Sequence, residues 1–251
     1  MKKTILKYSS LLALISSPFI SSQTYAAACA TGTSPSSGCT ISGSNASYTL
    51  TGDINASGNN GGITFSTGAD NNGLTLFGNI TTESGPGIYL KRSDSNNIAI
   101  DGNVSLTFAY ETRTHAILIE DSNFNTTNVT GNITTASKFS GYSQKAIQVS
   151  GGSNNTTTVI GDISVGASAG YGIHHYSNTG ANTTNLTGDI SANGNNGIGM
   201  QSTASQTVNM TGNITASNGI IHTGRTGANT TNLTGDISAT QSGIALSSTD
   251  F

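Results

Sequence analysis

The chain repeats one short pattern eight times: an apolar residue, a spacer, a glycine, an aspartate or asparagine, and then isoleucine or valine. The glycines of these repeats are Gly52, Gly78, Gly102, Gly131, Gly161, Gly188, Gly212 and Gly235. Successive glycines are separated by roughly 25 residues, and repeats of this length are typical of a solenoid, in which each unit contacts only its neighbours. The pattern therefore predicts one repetitive domain rather than a closed globule.

Each repeat is predicted to hold three short strands. Apolar and polar residues alternate before the glycine, as at Leu74 and Leu76, and the glycine supplies a corner before a second strand. An isoleucine with a second inward residue two positions later marks the third strand. These pairs are Ile63 and Phe65, Ile88 and Leu90, Ile117 and Ile119, Ile147 and Val149, Ile173 and His175, Ile198 and Met200, Ile220 and His222, and Ile244 and Leu246.

No helical pattern separates these strands, so strands of the same direction must pair between successive coils. The sequence therefore predicts an all-β, right-handed parallel β-helix of about eight three-strand coils over residues 47–251. The segment 179–192 recurs unchanged at 226–239, which indicates that a two-coil unit was duplicated.

Residues 1–26 have the layout of a secretory signal peptide. Lys2, Lys3 and Lys7 precede an apolar run over residues 11–20, and small residues follow. That run is too short for a membrane span of about 20 residues, so we expect export through the inner membrane and no transmembrane segment in the mature chain. Removal of the segment leaves six basic and twelve acidic residues, a formal charge of −6, which disfavours nucleic-acid binding.

Residues 27–46 are expected to form a lead-in or cap. The two cysteines of the chain, Cys29 and Cys39, lie in this segment, and in an exported protein they are expected to form a disulfide. The alternative is lipidation of Cys29, although Ala26 occupies a position where lipoprotein signals usually have leucine.

The repeats vary in length at one corner only. The distance from the third-strand isoleucine to the next coil's first strand is nearly constant, as from Ile88 to Ile100, whereas the distance from the glycine to that isoleucine doubles between Gly212–Ile220 and Gly131–Ile147. Insertions should therefore project along one edge, between the second and third strands. The candidate binding residues at this edge are Phe108, Tyr110, Arg113, Lys138, Phe139, Tyr142, Lys145 and Tyr171. Two interpretations are open: a contact surface, or a simple cover for the edge.

Taken together, the signal peptide, the repeats and the richness in Thr and Asn resemble the passenger domains of autotransporters, the type V secretion proteins of Gram-negative bacteria. The resemblance covers residues 27–251 and implies a β-helix displayed at the cell surface or secreted, commonly as an adhesin. Its partners would be host or bacterial surface molecules, or other copies of the chain. An autotransporter continues into a barrel, whereas this sequence stops at Phe251; it is interpreted as the N-terminal part of a passenger, periplasmic if truncated.

The main alternative function is a β-helical polysaccharide lyase or hydrolase. Such an enzyme needs several carboxylates and a cation in one groove, and the closest approach in the sequence is Glu111, Arg113, Glu120 and Asp121. The segment 166–170 fits a nucleophile-elbow pattern, but that motif requires a helix after its strand, so we expect no enzyme activity there.

No metal or other cofactor is predicted. His175 and His222 occupy equivalent inward positions two coils apart, about 9.6 Å, which is too far for both to bind one zinc ion. Asp162 and Asp189 would be close enough to hold calcium weakly, but calcium prefers six to eight oxygen ligands. Hydrogen bonds that stabilise the corner are the better explanation for the column of Asp and Asn after the glycines.

Overall fold

A computed structural model describes residues 27–33, 37–57, 61–83, 85–107, 115–136, 144–166, 170–176, 179–224 and 227–248. These residues form strands and connections and contain no helix. In chain order the strands are β1 (Ala27–Ala28), β2 (Gly32–Thr33), β3 (Cys39–Ile41), β4 (Ser47–Thr51), β5 (Ile54–Ala56), β6 (Ile63–Phe65), β7 (Gly73–Phe77), β8 (Ile80–Thr82), β9 (Ile88–Lys91), β10 (Asn97–Asp101), β11 (Val104–Leu106), β12 (His115–Glu120), β13 (Thr126–Thr130), β14 (Ile133–Thr135), β15 (Lys145–Ser150), β16 (Thr156–Ile160), β17 (Ile163–Val165), β18 (Tyr171–Tyr176), β19 (Asn182–Thr187), β20 (Ile190–Gln201), β21 (Gln206–Thr211), β22 (Ile214–Gly224), β23 (Thr230–Thr234) and β24 (Ile237–Ser248).

The strands stack into a parallel β-helix, which confirms the predicted fold class. The first strands of all coils form one sheet, in the order β2-β4-β7-β10-β13-β16-β19-β21-β23. The second and third strands belong to a fifteen-stranded sheet, and neighbours in both sheets pair in parallel. About seven turns separate β4 from β23. We call the three sides of the rod face one, face two and face three, after the first, second and third strands.

In the last coils the second and third strands merge. β20, β22 and β24 are 12, 11 and 12 residues long and run through both faces, with register shifts near Ala192 and Ala216. These coils have short corners, the shortest of which runs from Gly212 to Ile220. One continuous strand replaces the two that were predicted in each of these coils. Corner length alone does not decide this, because the Gly78–Ile88 corner is as short as Gly188–Ile198 and keeps β8 and β9 separate.

The core is a narrow apolar column inside the rod. Inward residues such as Ile80, Ile88 and Leu90 have no exposed surface, and each contacts equivalents in the coils on either side. Ile244 and Leu246 differ from the prediction, because they are 61% and 73% exposed. Among the described strands, β24 pairs with β22 alone, so no described coil covers the other side of these two residues.

The eight corner glycines all have positive φ, from 99° at Gly52 to 155° at Gly102. At each glycine from Gly78 onward, an added Cβ would clash with the backbone carbonyl of the glycine one coil earlier. Other residues rarely adopt this conformation, and none would fit such a close approach of two backbones. This explains why the glycine recurs in every repeat.

The Asp or Asn after each glycine forms the expected hydrogen-bonded column on the exposed corner. From Asp53 to Asn213, the side-chain Oδ1 accepts a hydrogen bond from the backbone N–H of the equivalent residue in the next coil. The Asn79 N–H lies 2.8 Å from Asp53 Oδ1, and the Asn213 N–H lies 2.6 Å from Asp189 Oδ1. Each side chain therefore stabilises the stacking of two coils.

A second asparagine column, which we call the buried ladder, was not predicted. It lies at or just before the start of the first strand in six consecutive coils and consists of Asn72, Asn96, Asn125, Asn155 and Asn182, followed by Gln206. Each Asn from Asn96 to Asn182 accepts a hydrogen bond from the backbone N–H of the residue one coil earlier, and all are at most 2% exposed. The ladder satisfies polar groups at the corner between face three and face one, where no β pairing can reach them.

Residues 27–46, the expected lead-in or cap, contribute the strands β1, β2 and β3. β3 pairs with β6, and β2 pairs with β4, so this segment begins the stack. Cys29 and Cys39 form a disulfide here, with both side chains in the core. Closing this short loop stabilises the first coil by about 2–3 kcal/mol. In the described part of the chain, no helix long and apolar enough to cross a membrane is found.

Candidate interaction surface on face three

Two of the eight candidate edge residues, Lys145 and Tyr171, belong to the described structure. The other six, Phe108, Tyr110, Arg113, Lys138, Phe139 and Tyr142, lie outside the described residues. Lys145 opens β15 and Tyr171 opens β18, and the two are paired in register on adjacent coils. His115 precedes them and Asn196 follows them in the same column. The fold therefore brings together the two predicted residues that it describes.

A local break in alternation turns Lys145 and Tyr171 outward, whereas His115 in the same column is only 4% exposed. Each third strand from β12 onward in this region holds two consecutive buried residues, a small one and then isoleucine, as in Ala146 and Ile147. The small residue faces the second strand: an added Cβ at Gly172 would lie 2.7 Å from a methyl of Ile190. Because two neighbours point inward, the preceding Lys145 and Tyr171 point away from the core, where both are partly exposed.

His174 lies on the outer side of face three, as strand alternation predicts for the neighbour of an inward His175. Its ring is nevertheless only 6% exposed, because two tyrosines cover it. The rings of Tyr171 and His174 are stacked, with centroids 4.2 Å apart and planes 10° apart, and Tyr176 packs against His174 at 5.6 Å. Gly199 makes room for this stack, since an added Cβ there would overlap Tyr171.

Burial and charge keep the His174 ring neutral. Desolvation by burial lowers the pKa of His174 to about 3, and the positive charge of Lys145 contributes to this decrease. Burial also lowers the pKa of Lys145 below its ordinary value. The surface therefore combines an amine with three stacked rings, which suits cation and ring contacts with a partner rather than proton transfer.

The carboxylates proposed for glycan cleavage occupy the far end of the third strand. Glu120 accepts a hydrogen bond from the Tyr89 hydroxyl, and Asp121 lies 3.4 Å from Nε of Arg92. Both contacts join adjacent coils, and the Arg92 and Asp121 side chains are largely exposed. Glu111 and Arg113, the other two residues of this candidate constellation, lie outside the described residues, as does Ser168 of the elbow-like segment.

The two inward histidines make equivalent hydrogen bonds inside the rod. His175 Nε2 lies 2.9 Å from Thr184 Oγ1, and His222 Nε2 lies 3.0 Å from Thr231 Oγ1. His175 Nδ1 also lies 3.0 Å from Gln206 Oε1. The duplication thus copied a His–Thr pair along with the two coils. Among the described residues, no group of three or more His, Cys, Asp or Glu side chains is arranged to hold a metal.

Acidification is expected to destabilise the fold through His175. The ring is fully buried, and desolvation lowers its pKa to about 4, although the Gln206 hydrogen bond opposes this. In the unfolded chain a histidine titrates near pH 6.5. Between these values only the unfolded state takes up the proton, so stability is complete above pH 6.5 and falls as the pH decreases toward 4. The free energy of unfolding should fall by about 2 kcal/mol from pH 7 to pH 5 on this account.

The free energy of unfolding in urea, measured at pH 7 and at pH 5 for the wild type and for His175→Met, tests this effect. Methionine is the residue at the paired position of the next coil, Met200, so its volume and shape are tolerated there. The variant should lose about 2 kcal/mol of the pH dependence. An equal pH dependence in the two proteins would show that His175 is protonated without unfolding.

Several exposed apolar side chains escaped the sequence-based prediction. Phe77, Phe124, Ile160 and Tyr176 are 51%, 61%, 55% and 45% exposed. The sequence did contain an indication of two of them, since Phe77 and Ile160 fill outward strand positions that hold threonine in most repeats.

Comparisons of this chain with protein-family models, with curated proteins and with solved structures found no match.

Proposed function

We propose that the chain is a non-catalytic, surface-displayed β-helix that acts in adhesion, self-association or biofilm formation. The observation that carries the proposal is the patch on face three, where Lys145 and Tyr171 lie side by side and Tyr171 stacks on His174. Aromatic and basic side chains are the types that dominate contact energy at interfaces. They are concentrated here in a chain of which only 8% of residues are charged and 6% are aromatic.

The proposal includes the export route and the family. The signal-like segment 1–26, the repeats and the parallel stacking all agree with an autotransporter passenger that reaches the cell surface, or the periplasm if the gene is truncated. Partners would be host or bacterial surface molecules, including other copies of this chain. The DNA downstream of Phe251 tests the family: an in-frame or frameshifted barrel supports it, and unrelated sequence opposes it.

The contact surface is tested by adhesion and aggregation assays on cells that display the chain fused to a translocator barrel. Two variants are compared with the wild type: Lys145→Gln with Tyr171→Ser, and a variant with residues 108–113 and 138–142 shortened to the corner length of the seventh coil. Both should display normally and bind at least tenfold more weakly. Thr64→Ala, on the same face nearer the N terminus, is the matched control. Unchanged binding in both variants would mean that the edge is only a cover.

A polysaccharide lyase or hydrolase is the second candidate, because Glu120, Asp121 and Arg92 lie together on adjacent coils, with the Arg92 and Asp121 side chains exposed. A screen of the purified chain against acidic glycans tests it. Turnover that disappears in Glu120→Gln and Asp121→Asn variants would favour the enzyme over the adhesin.

A further inference from the structure

Face one carries a flat, uncharged lattice of hydroxyl and amide groups in the C-terminal half of the rod. The outward positions of β13, β16, β19, β21 and β23 are Thr or Asn in fourteen of fifteen cases, and none is charged. In the middle column the Asn209 amide donates to Asn185 at 2.8 Å, and the Asn232 amide donates to Asn209 at 2.8 Å. The register keeps like residues aligned along the rod. We call this surface the Thr/Asn face.

Large apolar side chains interrupt the repeat beside this face. Ile160 is 55% exposed, although its paired residues on both sides are Thr130 and Thr187. Phe77 is 51% exposed in the same column, paired with Thr51 and Asp101. Exposed apolar groups contribute nothing to the core of their own coils. Single exposed apolar residues are common on protein surfaces, so Phe77 and Ile160 matter here only through their place along the edge of face one.

Phe124 is the strongest exception, because its backbone conformation is unfavourable for it. It has a φ of 56° and its side chain is 61% exposed. At the corresponding corner position the other coils use Asn71, Ser95 and Asn154, also with φ between 56° and 59°. Asparagine tolerates this left-handed conformation, whereas a bulky aromatic residue adopts it rarely and at a cost. Strain combined with an exposed ring at one corner is typical of a functional position.

Phe124 and Ile160 lie at the edges of the Thr/Asn face, and Phe77 lies two coils before its first strand, beyond Asp101. Phe124 stands two residues before Thr126, at the start of β13, and Ile160 lies beside the end of the same strand. Phe124 is six residues before Thr130, the partner of Ile160, so at about 3.3 Å per residue the two side chains lie about 20 Å apart. Phe77 lies three coils from Ile160 along the same edge, about 14 Å away. The insertion corner between faces two and three does not border face one, so this surface is distinct from the patch at Lys145 and Tyr171.

The geometry points to an uncharged, extended polysaccharide as the ligand of the Thr/Asn face. Hydroxyl and amide groups can pair with sugar hydroxyls, and the apolar side chains can cover the C–H faces of sugar rings. A surface without cations offers nothing to acidic glycans. A second copy of the chain fits less well, because five strands provide only about 20 Å by 15 Å, roughly 300 Å². A standard protein interface needs roughly 800 Å² on each partner.

The test is binding of the purified full chain to immobilised and soluble glycans. The neutral probes are cellulose-, mannan-, galactan- and dextran-type oligosaccharides, and polygalacturonate and alginate are the acidic ones. We expect binding to at least one neutral glycan and weaker binding to both acidic ones. The triple variant Phe77→Thr, Phe124→Asn, Ile160→Thr replaces each residue by one that the other coils use, and it should bind at least tenfold more weakly with an equal or higher melting temperature.

Each other outcome overturns the inference. Wild-type chain that binds none of the neutral probes, or prefers the acidic ones, excludes the proposed ligand. A triple variant that binds as well as the wild type removes the role of the three side chains, and a lower melting temperature shows that they are structural. The variant Lys145→Gln with Tyr171→Ser is the control that separates this face from the proposed adhesion surface: it should leave glycan binding unchanged, so either function can fail without the other.

Discussion

Replacement of Gly131 by alanine is expected to destabilise the β-helix by about 4 kcal/mol or more. Gly131 has a φ of 151°, and a Cβ at this position would overlap the backbone carbonyl of Gly102 in the coil before it. The methyl group therefore imposes both backbone strain and a clash with an atom that cannot rotate away. Relief requires the two coils to move apart, which breaks the neighbouring hydrogen bond from the Gly102 N–H to Thr130.

Chemical denaturation of purified protein measures this loss, and the soluble yield gives a first indication. Gly73→Ala is the matched control. Gly73 lies in a strand of the same face, its φ is not positive, and an added Cβ would meet only Ser47 Oγ at 3.5 Å, an ordinary contact distance. The control should change stability by less than about 1 kcal/mol. A similar small change for Gly131→Ala would show that the stacked corners can separate freely.

Removal of the Asn125 side chain is expected to cost about 3–5 kcal/mol. Its amide donates to Ser93 O at 2.8 Å and to Asn155 Oδ1 at 3.0 Å, and its Oδ1 accepts from the backbone N–H of Asn96 at 2.8 Å. Asn125→Ala removes the partners of Ser93 O and of the Asn96 N–H and opens a cavity at the corner, whereas Asn155 Oδ1 keeps the Asn125 N–H at 3.0 Å. The expected cost is high because each lost partner leaves a group that water cannot reach.

The exposed column offers a direct comparison. Asn132→Ala also removes a side chain that accepts a backbone N–H, that of Asp162 at 2.8 Å, but here water can replace the lost acceptor. Its cost should stay below about 1 kcal/mol in the same denaturation experiment. Equal losses in the two variants would mean that burial of the ladder contributes nothing to its strength.

Much of the fold was predictable because the repeat isolates the residues that determine it. The corner glycines are required by backbone contact between coils, so they recur in every repeat, and the spacing to the third-strand isoleucine located the variable corner. The merging of β20, β22 and β24 was not predicted, because the corner within β20 is no shorter than the one that separates β8 from β9. The interpretation of the Asp and Asn residues after the glycines as hydrogen-bonding groups was correct, as at Asp53 and Asn79.

The buried ladder was missed although the sequence contains its signal. An Asn stands two residues before the first inward position of the first strand in five consecutive coils, as at Asn96 before Ile98. In a chain this rich in Asn, composition does not distinguish the ladder asparagines from the many asparagines on the surface. Only the stacking of coils shows that this column is inside the corner, where each amide replaces a main-chain partner that the turn cannot supply.

The candidate site was only partly predictable for a different reason. Strand alternation placed His174 outside the core, but the cover over its ring depends on Tyr171 from the same strand and on the space above Gly199 in the next coil. The space above Gly199 arises between coils, and the Tyr171–His174 stack depends on the local break in alternation, so the sequence of one repeat by itself reveals neither. The strained conformation of Phe124 is likewise a property of the folded corner, since its sequence context resembles that of an ordinary turn.

The parallel pairing has a mechanical consequence. Hydrogen bonds between neighbouring coils point along the rod. A force that pulls β24 away from β22 therefore loads only the hydrogen bonds between these two coils, while the bonds between earlier coils stay unloaded. Resistance to extraction is then set by the outermost coil, and a longer rod would be no harder to open. The chain would be released one coil at a time, each step freeing the segment between two successive corner glycines. The Cys29–Cys39 crosslink would restrain the last coil to open.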